Sequence, residues 1–72
     1  MVTIQVIRKA TGKPIANEKV FISFDSWLRG WLEERTGESG EARFDADPGS
    51  GKVIVRGSTL ETYLRGTVTV HV

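Results

Sequence analysis

The side chains that could carry acid–base or nucleophilic chemistry are sparse in this sequence. His71 is the only histidine among the 72 residues. A serine–histidine–acid arrangement would need a nucleophile beside it, but the chain has no G-x-S-x-G pattern that would present a serine. Glu33 and Glu34 are adjacent, so on a strand they point to opposite faces and cannot act as a paired acid and base. We therefore predict that the chain is not an enzyme.

Metal, phosphate and thiol chemistry have equally little support. The chain contains no cysteine, which excludes disulfides and thiolate zinc sites. Asp45 and Asp47 share a strand face beside the Pro48-Gly49 turn, but two carboxylates fall short of the roughly six to eight oxygens that calcium takes. The eight glycines form neither a G-x-x-x-x-G-K nor a G-x-G-x-x-G string. The sequence thus predicts no metal site and no cofactor.

Binding residues are concentrated in one segment, where both tryptophans of the chain lie four residues apart. One interpretation is that one indole fills the core and the other covers an end of the domain. The other is that an indole is exposed as a contact anchor, because Trp, Tyr and Arg dominate the energetics of protein interfaces. The candidate partner-contact residues are Trp27, Arg29 and Trp31 in this segment, together with Tyr63 and Arg65 later in the chain.

The elements that must position these side chains are strands, because apolar residues recur at every second position. Val2, Ile4 and Val6 alternate with Thr3 and Gln5, the pattern of a half-buried strand. The clearest predicted strands cover about 2–8, 18–26, 41–46, 52–57 and 67–72. Short turns separate them at 11–14, 37–40 and 47–51, a rhythm typical of a sandwich or barrel.

Two segments, 28–36 and 59–65, are less clear. In the first, apolar residues at spacings of three and four would also suit a helix. Gly30 lies in its middle and disfavours a helix by about 1 kcal/mol relative to alanine. We predict a strand there, with Gly30 used for a β-bulge or a sharp twist.

The order of turns and strands resembles the transthyretin-like and carboxypeptidase regulatory-like family. The resemblance rests on ATGKPIANEKV at 10–20, RTGESGEARF at 35–44 and PGSGKVIV at 48–55. Asn17 stands where the family usually has glycine, and the Pro48-Gly49 turn is extended by two residues. The resemblance implies an all-β fold, a small Ig-like or transthyretin-like Greek-key β-sandwich of six to seven short strands. We expect residues 1–72 to form this single domain.

The same resemblance implies a non-catalytic role, since members of the family usually serve as spacers or docking modules. One subgroup forms an internal Lys–Asn isopeptide bond. In this sequence Val6 stands where that subgroup has its reactive lysine, and the last predicted strand, 67–72, contains no Asn or Asp to act as its partner. We therefore predict that the chain forms no such bond. We therefore predict a structural or interaction module that binds a protein or a glycan, or that associates with itself.

Charge and hydropathy bear on the other partner classes. The formal net charge is +1, without the clustered basic residues that polyanion binding needs. No window approaches the roughly 18 consecutive apolar residues that indicate a membrane span, so we predict no membrane insertion.

The alternative function is a small OB-like barrel that binds single-stranded nucleic acid. It would stack bases on Phe21, Trp31 and Tyr63 and contact phosphates through Arg29, Arg43, Arg56 and Arg65.

Overall fold

Seven strands build the part of the chain that the computed structural model describes, residues 1–26 and 29–72. They are β1 (Val2–Ile7), β2 (Lys19–Phe24), β3 (Trp31–Arg35), β4 (Glu41–Phe44), β5 (Gly49–Val55), β6 (Ser58–Leu64) and β7 (Gly66–His71). Those two ranges contain strands and turns but no helix. The described residues therefore include no helix that could cross a membrane. The all-β prediction is confirmed.

The strands form two sheets, one with the order β4-β1-β7 and one with the order β3-β2-β5-β6. β1 pairs with β4 in antiparallel and with β7 in parallel orientation, whereas all pairs of the four-stranded sheet are antiparallel. The chain passes from one sheet to the other after β1, β3, β4 and β6. The result is a small β-sandwich of three strands on four.

The core lies between the two sheets and follows the alternation of the sequence. In β1 every second side chain, Val2, Ile4 and Val6, is fully buried. The remaining core residues are Ile15, Val20, Ile22, Phe24, Ala42, Phe44, Val53, Val55, Leu64 and Val70. The outward positions of the same strands remain free to form surfaces.

The two unclear segments are strands, β3 and β6. Gly30 has a φ of +67° and lies directly before β3, so the prediction of a bulge within the strand was wrong. The predicted turn at 47–51 was also partly wrong, because β5 begins at Gly49. A side chain on Gly51 would collide with the Ser23 carbonyl oxygen, so this glycine serves close strand packing rather than a turn.

A candidate docking face on the four-stranded sheet

The residues of β2, β3, β5 and β6 that point away from the core form one continuous surface, which we call the outer face. One row of register partners crosses all four strands and consists of Trp31, Ser23, Lys52 and Glu61. The next row consists of Glu33, Phe21, Ile54 and Thr59. Lys19 and Arg35 continue the face at one end, and Ser50 and Tyr63 at the other.

Two large aromatic side chains stand exposed at opposite edges of the outer face. Trp31 on β3 is 60% exposed and Tyr63 on β6 is 57% exposed. Phe21 and Ile54 are half-buried register partners on the two middle strands, in the row next to that of Trp31 and on the side away from Tyr63. Because neighbouring strands lie about 4.8 Å apart, β3 and β6 are separated by about 14 Å. The face therefore offers a broad, partly apolar platform.

Charges of both signs surround these apolar side chains. The Lys19 ammonium lies 3.5 Å from the Glu33 carboxylate and 6.0 Å from the centroid of the Phe21 ring. The Lys52 ammonium lies 5.8 Å from the Trp31 ring centroid. Such exposed pairs each contribute only about 0–1 kcal/mol to stability, so these charges act mainly as polar contacts at the surface.

The structure separates the candidate contact residues of the sequence. Trp31 and Tyr63 share the outer face, whereas Trp27 lies outside the described residues. The Arg29 guanidinium stacks 3.5 Å from the Phe24 ring centroid and donates hydrogen bonds to the carbonyls of Asp47 and Pro48, the latter at 3.3 Å. Arg29 is therefore engaged at the end of the sandwich.

Arg65 is exposed and lies at the corner where the chain passes from β6 to β7. Arg43, assigned to phosphate in the alternative function, lies on the three-stranded sheet as the register partner of Thr3. Its guanidinium is 3.4 Å from the Glu41 carboxylate. Arg56 follows β5, and its Nε donates to the Glu18 carboxylate at 2.7 Å. The three stacking candidates share the outer face, but most of the arginines meant to accompany them do not.

Ile54 and Lys52 are among the members of the outer face that were not singled out as candidates. The signal for Ile54 was present in the alternation, because it stands at the outward position between the buried Val53 and Val55. An apolar residue at an outward position marks a contact surface. Lys52 could be associated with Trp31 only through the register of β2 between them.

Metal chemistry has no cluster to build on in the described ranges. His71 is exposed near the end of β7. Residues 1–26 and 29–72 contain no group of three or more His, Cys, Asp or Glu side chains placed to hold a metal ion. The arrangement that these residues do form suits binding by a surface.

Comparisons with known proteins give no match. No family model matches the chain, and neither a curated protein nor a solved structure does. The resemblance to the transthyretin-like family therefore stays a prediction from the sequence.

Proposed function

We propose that this chain is a non-enzymatic interaction module that docks a protein or glycan partner through its outer face. The observation that supports this most is the exposure of Trp31 and Tyr63 on one face, which also carries the half-buried Phe21 and Ile54 in the row next to Trp31. Contiguous exposed apolar surface is uncommon on monomeric proteins and marks interaction sites. Tryptophan and tyrosine are also the side chains that contribute most at such sites.

The charges on this face favour a protein or a glycan over a polyanion. Lys19, Arg35 and Lys52 stand against Glu33 and Glu61, a balance of three minus two, or +1. A single-stranded nucleic acid needs a positive groove along its backbone, and two carboxylates within the face oppose one. The motif resemblance also supports a non-catalytic module, as its family members usually serve in that way.

Single-stranded nucleic acid remains the second candidate on one specific observation. Phe21, Trp31 and Tyr63, the three stacking candidates, lie on the same face of one sheet. Aromatic side chains presented by a sheet are a common platform for bases. A binding experiment must therefore include an oligonucleotide.

The test compares three chains: wild type, the face variant Trp31→Thr/Tyr63→Thr, and the control Arg43→Ser/Gln5→Thr on the three-stranded sheet. Threonine keeps β propensity, so the face variant should unfold within about 1 kcal/mol of wild type. Each chain is exposed to extract of the source organism, to a glycan array and to fluorescent oligothymidine at several salt concentrations. Sedimentation measures self-association.

We expect wild type and control to retain the same protein or glycan, and the face variant to lose it by about tenfold or more, since each anchor contributes roughly 1–2 kcal/mol. If the face variant retains the same partners as wild type, the proposal is contradicted. Oligothymidine binding that falls steeply with salt and is lost in the face variant would instead support the second candidate.

A further inference from the structure

Four of the seven described strands lie at sheet edges, and three of these edges carry features that discourage strand pairing. Native edges are protected by charge, short length or inward-pointing charged residues. β4 has four residues, including Glu41 and Arg43. In β3, Glu34 is the register partner of the fully buried Val20 and so occupies an inward position. β6 carries Glu61.

The fourth edge, β7, lacks this protection. Its sequence is GTVTVH, six residues without Asp, Glu, Lys, Arg or proline. It pairs with β1 along its whole length, from Val2↔Gly66 to Ile7↔His71, and on its other side none of the described strands is its neighbour. A long, uncharged edge of β-branched residues is a template for another strand.

The direction of the backbone groups identifies which atoms are free. The Val72 N–H donates to the Ile7 carbonyl at 2.9 Å, and the Val72 carbonyl accepts from the Lys9 N–H at 2.7 Å. In a parallel ladder both groups of one residue face the same neighbour, and successive residues alternate. The N–H and C=O groups of Thr67, Thr69 and His71 therefore point away from β1. They provide three donors and three acceptors along the open edge.

A cleft lies beside this edge, between β7 and β6. Its volume is about 260 Å³, and it is lined by Ser58, Thr59, Leu60, Thr69, Val70 and His71. Leu60 is the register partner of Val53, which is fully buried, yet Leu60 itself is 39% exposed. The reason is the unequal strand number, because a sheet of three strands does not extend over β6. A fourth strand beside β7 would cover Leu60.

We infer that the open edge of β7 is a strand-addition site for an extended peptide of another protein, uncharged and with apolar side chains at alternate positions. Its backbone pairs with Thr67, Thr69 and His71. Every second side chain enters the cleft over Leu60 and buries it. This surface extends the other sheet and shares only Thr59 with the outer face.

A second copy of β7 fits the edge less well than such a peptide. In a pair of β7 strands, each already directs its inward valines, Val68 and Val70, to its own core. Self-pairing would satisfy the free backbone groups but would bring no unburied apolar side chain to the cleft. A peptide arrives with such side chains exposed and so gains burial as well as hydrogen bonds.

The experiment titrates the ¹⁵N-labelled chain with a synthetic peptide, lysine–valine–threonine–valine–threonine–valine–lysine amide, and follows amide shifts and hydrogen exchange. We expect saturable shifts in β6 and β7, and exchange slowed by about tenfold or more at the amides of Thr67, Thr69 and His71. Thr69→Pro should lose binding by at least about tenfold. It removes an N–H that points to the open edge, a position where a strand tolerates proline. The matched control Thr69→Val keeps the N–H and should bind like wild type.

Three outcomes would overturn the inference. The first is an absence of shifts in β7 at millimolar peptide, and the second is equal binding by Thr69→Pro and wild type. The third is dimerisation without peptide that Thr69→Pro abolishes, because the occupant would then be a second copy. The face variant Trp31→Thr/Tyr63→Thr should bind the peptide normally, so failure here is distinguishable from failure of the docking face.

Discussion

Replacing Thr36 by valine should destabilise the domain through one buried hydroxyl group. Thr36 directly follows β3 and is 5% exposed. Its Oγ1 donates to the Ile15 carbonyl at 2.7 Å and accepts from the Glu18 N–H at 2.8 Å. The backbone of Thr36 also pairs with the loop before β2: its carbonyl accepts from the Asn17 N–H, and its N–H donates to the Glu18 carbonyl. The hydroxyl thus joins the loop before β2 to the end of the edge strand that carries Trp31.

The magnitude follows from the two groups that valine leaves without a partner. Valine has nearly the same shape, so the change creates almost no cavity. The Ile15 carbonyl is buried, and an unpaired buried acceptor costs about 1–3 kcal/mol. The Glu18 N–H is only partly buried and can reach water, so its loss costs about 0.5–1.5 kcal/mol. We expect a total of about 2–4 kcal/mol, out of the roughly 4–11 kcal/mol expected for a domain of this length.

The assay is thermal and chemical unfolding of wild type, Thr36→Val and the control Thr36→Ser. At about 4–8 °C per kcal/mol for a domain of this size, valine should lower Tm by about 10–30 °C. Serine keeps the hydroxyl and loses one buried methyl group, at a cost of about 1 kcal/mol. Amide exchange in β3 should accelerate more in the valine variant. A valine variant as stable as the serine variant would refute the assignment.

Three further substitutions test packing at the end of the sandwich. Arg29→Ala should reduce the free energy of unfolding by about 1–2 kcal/mol, because it removes the stacking on Phe24 and the bonds to the loop carbonyls; urea unfolding that matches wild type would contradict this structural role. Gly51→Ala should cost about 2–3 kcal/mol through a backbone collision with Ser23. Gly49→Ala should cost about 1–2 kcal/mol in the same measurement, because its Cβ would lie 2.6 Å from Arg29 Nη1 and would displace the guanidinium from Phe24 and the loop carbonyls.

The strands that the sequence identifies most clearly are those covered on their inner face. In β1 and β2 every second residue is apolar and buried, so the period-two pattern is complete. The edge strands β3 and β6 lack it, because the opposite sheet covers them only partly, whereas the edge strand β4 keeps it with the buried Ala42 and Phe44. In β3 the inward positions are Leu32, half-buried, and Glu34, exposed. Because of this mixture, the sequence pattern of the segment was compatible with both a helix and a strand.

The glycines of 47–51 led to the prediction of a turn over this whole segment, although β5 begins at Gly49. A turn and a close approach between strands both favour glycine, the first through its conformational freedom and the second through its missing side chain. Only the neighbours distinguish the two uses. For Gly51 those neighbours are the backbone of Ser23 and Phe24 and the side chain of Leu64, which are brought together by folding.

The candidate site was predictable in residue type but not in arrangement. Trp31 and Tyr63 stood out by chemistry, yet they share a face only because β2 and β5 lie between them in a fixed register. Arg29 stood out equally, and its role follows from Phe24 and two loop carbonyls that the sequence does not associate with it. An arginine near a tryptophan is therefore weak evidence for a contact site until its own partners are known.

The two proposed surfaces belong to different sheets, and this separation has a physical consequence. A strand added at β7 lengthens the three-stranded sheet and covers Leu60 from the inside of the sandwich. The outer face lies on the far side of the four-stranded sheet and shares only Thr59 with the cleft, so the two occupants take little contact area from each other. A peptide at β7 also stabilises the folded state by mass action, because the open edge exists only there. A strand at β7 and a partner on the outer face would thus bind the same molecule under the two proposals, the first strengthening the small core that presents the second.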